Sequence, residues 1–83
     1  QRSRKLGPLQ KKVVEFEGRI AELEVAQKQR SVELADPAVY QDEPRRRSLL
    51  DAYQASADEL ELLTSRWELS VAEVERAERE LGG

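Results

Sequence analysis

Leu34-Ala35-Asp36-Pro37-Ala38-Val39-Tyr40-Gln41-Asp42-Glu43-Pro44 is the stretch that decides how this chain folds. A residue before proline avoids the α region, so Asp36-Pro37 stops a helix arriving from the N-terminal side. The same pair opens a new turn, with Asp36 as N-cap and Pro37 at the first helical position. Asp42-Glu43-Pro44 repeats the device and starts a second long helix, with acids suited to the positive end of its dipole. An apolar stripe with alternating three- and four-residue steps lies on either side of this break. The first runs Leu6, Leu9, Val13, Phe16, Ile20, Leu23, Gln27, Arg30, Leu34; the second runs Leu49, Tyr53, Ser56, Leu60, Leu63, Trp67, Ser70, Val74, Ala77, Leu81. That is the heptad spacing of a coiled coil. The expected fold is all-α: a two-helix antiparallel coiled-coil hairpin with a short helical turn at the tip. Such a hairpin encloses no pocket, so its work falls to the outer surface or the tip.

The boundaries follow. Residues 1–7 read as a basic linker ending in Gly7-Pro8, and the coiled-coil domain covers 8–81. Helix 1 spans about 9–35, the tip turn 37–41 and helix 2 about 44–81, with Gly82-Gly83 as a tail. Gly18 sits inside helix 1 at a cost of roughly 1 kcal/mol relative to Ala. A register pairing residues whose numbers sum to 83 sets each stripe against the other. Gln27 then meets Ser56, Arg30 meets the Tyr53 ring, and Phe16 meets Trp67 in the bulkiest layer. Polar layers of this kind fix register at some cost in stability. They should also discourage a long symmetric dimer, so a monomeric domain is expected. Tyr40 lies off both heptads. It either folds back over Leu34 and Leu49 or is presented to a partner.

Composition excludes several classes. Charged residues make up 37% of the chain and aromatics 5%, too few large side chains to fill a rounded core. A narrow seam suits this balance. Cys, His and Met are absent, so neither a disulfide framework nor a structural zinc site is expected. No metal and no cofactor is expected, since no Gly-rich phosphate loop appears. Ser and Thr have no His to activate them, so the segment itself reads as non-catalytic. No apolar run approaches the roughly 20 residues of a membrane span, and no signal-peptide pattern opens the chain. The expectation is a cytoplasmic segment without a membrane partner. The start on Gln1 suggests a piece of a longer protein.

The net charge of −3 hides a change of sign along the chain. Arg4, Lys5, Lys11 and Lys12 lie near the start, Arg45, Arg46 and Arg47 lie at the tip, and acids dominate the rest of helix 2. Clusters of Lys and Arg neutralise phosphates, with binding that falls steeply with salt. No aromatic residues interleave with them, so contact should be to backbone rather than to stacked bases. These seven residues are the candidate nucleic-acid-binding set.

Four segments carry a family resemblance: Lys5-Leu6, Arg19-Ile20-Ala21-Glu22-Leu23-Glu24, Leu34-Ala35-Asp36-Pro37-Ala38-Val39-Tyr40 and Arg66-Trp67-Glu68. They resemble the C-terminal coiled-coil domain of Uup-type ABC-F ATPases over about residues 4–81. Gly7-Pro8 departs from the Ser-aromatic pair usual there, and Gln27 and Arg30 replace apolar seam residues. The resemblance implies a parent with two tandem ATP-binding cassettes, which would hold the ATPase activity. It implies DNA as the partner of this domain, with ribosomal RNA as a second candidate. Two other readings stand beside it. One is a structural or protein-interaction arm acting on the ribosome or on the parent's cassettes. The other is the tRNA-contacting arm of a valyl-tRNA synthetase, similar in length and layout; Tyr40 and Arg66-Trp67-Glu68 favour the ABC-F reading.

Overall fold

A computed structural model describes the backbone of residues 2–82 and the side chains of residues 6–82. Three helices follow in order: α1 (Arg2–Leu34), α2 (Pro37–Gln41) and α3 (Glu43–Gly82). The described residues contain no strand.

The breaks between helices form as the local chemistry requires. The Asp36 carboxylate accepts a hydrogen bond from the Ala38 N–H at 3.0 Å, and Pro37 takes the first helical position of α2. Asp42 ends α2 and caps α3 at once. Its N–H donates to the Val39 carbonyl, and its carboxylate accepts from the Arg45 N–H at 3.3 Å. Both caps satisfy amides that a helix start otherwise leaves open.

The dimensions give the arrangement of the long helices. At 1.5 Å per residue α1 is about 50 Å long and α3 about 60 Å, whereas one uninterrupted helix would reach about 120 Å. The molecule measures 60 × 15 × 14 Å. Its length is that of α3 alone, so α1 lies alongside. The contacts fix the direction. Glu17 meets Trp67, Arg19 meets Glu59, Gln27 meets Tyr53 and Arg30 meets Ser56. Between the Glu17 and Arg19 contacts and those of Gln27 and Arg30, the partners on α3 fall from Trp67 and Glu59 to Tyr53 and Ser56, so α1 and α3 run in opposite directions.

Every stripe residue of both helices is buried or half-buried, with Tyr53 the one exception. On α3 the buried positions are Ser56, Leu63, Ser70 and Ala77, one every seventh residue. Three of the four are small. Small side chains cannot hold two backbones apart, and the separation of packed helices follows the side chains at the contact. The helices therefore approach closely at these positions, and the intervening large residues are displaced to the edges of the seam. This revises the expected Phe16–Trp67 layer. Both rings are half-buried, Trp67 in a groove with Ile20 and Thr64, Phe16 in another with Arg66 and Ser70.

The polar layer also differs from the expected stacking of Arg30 on Tyr53. Gln27 donates to the Tyr53 carbonyl at 2.8 Å, while Arg30 donates to Gln27 Oε1 at 2.9 Å and to Ser56 Oγ at 2.8 Å. Arg30 thus bridges both helices through neutral acceptors. No buried side-chain polar atom among the described residues lacks a partner.

The N-terminal segment is a further correction. Residues 1–7 were expected as a linker, yet helix extends back to Arg2, with Pro8 inside it. Pro8 removes the bond its N–H would make to the Arg4 carbonyl, and its ring crowds that carbonyl. That carbonyl lies in the first turn of α1, so the helix loses one bond and continues. Gln1 and Gly83 lie outside the described residues. Gly82, expected in the tail, is the last residue of α3.

Gly18 offers a simple test of α1. A Cβ added there meets nothing within 4 Å. Gly18→Ala should stabilise the domain by about 1 kcal/mol and raise its melting temperature by about 4–8 °C. Thermal unfolding followed by circular dichroism checks this; a lower melting temperature would contradict the geometry.

Candidate nucleic-acid interface

Three consecutive arginines open α3, but successive helical residues are turned by about 100° from one another. They therefore cannot form one patch, and each has a different environment. Arg46 turns toward α2. Its Nη1 donates to the Tyr40 carbonyl at 2.9 Å, and its guanidinium lies 5.2 Å from the centre of the Tyr40 ring. Arg47 pairs with Glu43 one turn earlier at 3.5 Å, both side chains exposed. Arg45 is exposed, and its guanidinium makes no ion pair among the described residues. The tip therefore offers Arg45 outright and Arg47 through an exchangeable partner, while Arg46 holds the tip together.

Tyr40 is 53% exposed beneath Arg46, and Val39 is the tip residue that is buried. The sequence reading that turns Tyr40 back over Leu34 and Leu49 does not match this geometry. Within a five-residue helix Val39 and Tyr40 point in different directions, and the smaller apolar side chain takes the interior. Val39 sits in no heptad, which is why periodicity passes over it.

Lys11 and Lys12 are both exposed on α1. Lys12 borders a groove with Phe16, Arg66 and Glu73. Arg66 was absent from the candidate set, although the pairing register already places it opposite this part of α1. Arg4 and Lys5 lie within the backbone of α1, and their side chains lie outside the described residues. The Lys11–Lys12 pair sits roughly 35 Å along α1 from the tip. The structure thus keeps the two basic clusters apart.

Other charged groups act within the molecule. Arg19 Nε donates to Glu59 at 3.0 Å across the seam and Nη1 to Glu22 at 3.4 Å. The hydrogen bond and charge of Glu59, helped by Glu22, raise the Arg19 pKa above its ordinary value. No group of three or more metal-ligating side chains occurs among the described residues. No helix among them is long and apolar enough to cross a membrane.

A long, narrow, all-α pair of helices with open grooves and charged ends has the form of an accessory or binding module. The sequence comparison gives the family. The chain belongs to the ABC transporter C-terminal domain family, which it matches over residues 8–70. It is therefore a C-terminal domain of an ABC-type protein, and the matched span includes the tip and most of both long helices. No curated protein and no solved structure matches the chain.

Proposed function

We propose that the chain is the non-catalytic, nucleic-acid-binding arm of an ABC-F type ATPase of the Uup group. It works as an antiparallel coiled-coil hairpin, as a monomer and in the cytoplasm, while cassettes elsewhere in the parent hydrolyse ATP. DNA is the partner, bound through phosphates without regard to sequence. Lys11, Lys12, Arg45 and Arg47 make the contacts, with Arg66 beside Lys12; Arg4 and Lys5 extend the same end.

The observation that carries this reading is the spacing of the exposed cations. Two clusters roughly 35 Å apart on a rigid rod match the rise of one turn of duplex DNA, about 34 Å. One rod laid along a duplex then meets it at both ends, through Lys11 and Lys12 at one and through either Arg45 or Arg47, which face different sides of α3, at the other. The Arg47–Glu43 pair is no obstacle, because an exposed ion pair contributes little and a phosphate can replace its acid.

Three simultaneous phosphate contacts give a slope of about −2.7 in log K against log salt, or a loss of roughly 40-fold between 50 and 200 mM. Fluorescence anisotropy with several labelled duplexes of unrelated sequence measures it. Replacing Arg45 and Arg47 with Ala should weaken all duplexes alike and reduce the slope by about 0.9. Absence of binding at low salt, or binding indifferent to Ala at Lys11, Lys12, Arg45 and Arg47, would refute the proposal. Tighter binding to duplex RNA would move the assignment to RNA.

A further inference from the structure

The flank of the molecule opposite Lys12 and Arg66 has different chemistry. Val13, Val14, Val71 and Val74 line a groove between α1 and α3, with Glu75 and Glu78 at its edge. One turn nearer the tip the groove continues past Ile20 and Trp67, bordered by Glu17 and Glu24. Residues four apart on a helix share a face, so Val13 with Glu17, and Trp67 with Val71, join the two stretches into one. The apolar side chains are half-buried, except for Val14, which is 64% exposed. All four carboxylates are exposed, and no Lys or Arg lines either stretch. The groove runs about 21 Å, or two heptads, between residues 10 and 24 of α1.

We propose that this groove receives a cationic amphipathic helix from a protein partner. The occupant places an apolar stripe on the valines, Ile20 and Trp67, and its Lys or Arg residues beside Glu17, Glu24, Glu75 and Glu78. A third helix fits because two packed helices present a groove that heptad-spaced side chains fill. An extended strand has no such fit, since helices α1 and α3 offer no free backbone row to pair with it. Charge complementarity selects the partner. A second copy bound through this flank would bring like carboxylates together, and nucleic acid would be repelled. The proposal is independent of the phosphate-binding reading: it concerns the opposite flank and the opposite sign of charge.

Trp67 is the sole tryptophan of the chain and lies in the groove, so its emission reports occupancy. The probe is a synthetic three-heptad helix without Trp, carrying Leu at the seam positions and Lys at the flanking ones. Its titration should shift Trp67 emission to the blue and saturate at one peptide per chain. The exposed pair of changes Glu75→Lys and Glu78→Lys should weaken binding about tenfold or more, with helicity retained by circular dichroism. Val14→Gln, which leaves the charges in place, should also weaken it. Lys12→Ala with Arg66→Ala, on the other flank, should leave it unchanged. The proposal is overturned by an absent shift, or by equal binding of a Glu-flanked peptide or of a Lys/Leu peptide with scrambled order. It is equally overturned if the charge reversals have no effect, or if the shift follows chain concentration alone, which would mark self-association.

Discussion

Leu63→Asp is expected to unfold the domain at room temperature, while Leu62→Asp, one residue away, leaves it folded. Leu63 is 9% exposed and belongs to the buried seven-residue series of α3; Leu62 is 51% exposed. Replacing Leu63 forfeits about 1.5–3 kcal/mol of apolar burial. It also sets a carboxylate in the seam, at a further cost of several kcal/mol. Domains have roughly 5–15 kcal/mol in total, and short chains with little interior lie at the low end. None of the described side chains is fully buried, so no compact core elsewhere can hold the fold. Far-ultraviolet circular dichroism should show the helical signal lost for Leu63→Asp. For Leu62→Asp the thermal midpoint should move by only a few degrees. Similar behaviour of the two variants would mean that α3 presents another face to α1.

Ser70→Leu is expected to destabilise the domain even though it adds apolar surface to the seam. Ser70 is 5% exposed and borders the same open groove as Phe16 and Arg66. Its place in the small-residue series means that the α1 backbone comes close there. A Leu side chain must then push the helices apart or adopt a strained rotamer, at about 1–3 kcal/mol. For a chain of this size that lowers the melting temperature by roughly 5–15 °C. Ser65→Leu, at an exposed position, should change it by a degree or two. A higher melting temperature for Ser70→Leu would show that the seam has room there and that close approach is not what buries the series.

The all-α class was legible in the chain because two independent signals agree, periodicity on both sides and Asp-Pro chemistry between them. Near both ends of α2 the helix boundaries fall within a residue or two of expectation, since Asp36, Pro37 and Asp42 act locally. What periodicity could not rank was depth. A heptad assigns Phe16, Trp67, Ser56 and Ser70 to the same seam, but only the spacing of the backbones decides which of them lies inside. The small residues win because they allow closer approach, and the two rings move to opposite edges. The N-terminal boundary lies earlier than the sequence suggests because Pro8 looks like a start signal, whereas the helix continues back to Arg2 through a disturbance confined to its first turn.

The candidate interface was legible in composition and less so in geometry. A run such as Arg45-Arg46-Arg47 reads as one cluster, yet helical rotation separates the three. Arg46 is consumed by Tyr40, which the sequence gives no local rule to foresee. Arg66 was visible as part of Arg66-Trp67-Glu68, but its place beside Lys12 depends on the antiparallel pairing.

That pairing is the claim on which the seam, the tip and both flanks rest, and one distance tests it. The chain has no native cysteine, so nitroxide labels can be placed through Arg19→Cys and Glu59→Cys. These positions are exposed and meet across the seam at 3.0 Å, and loss of an exposed ion pair there costs little. Pulsed dipolar spectroscopy should give a separation below about 20 Å that persists when labelled chain is diluted into unlabelled chain. A sequence separation of 40 residues would span about 60 Å in a continuous helix. A distance near that value, or a short one that disappears on dilution, would contradict the account.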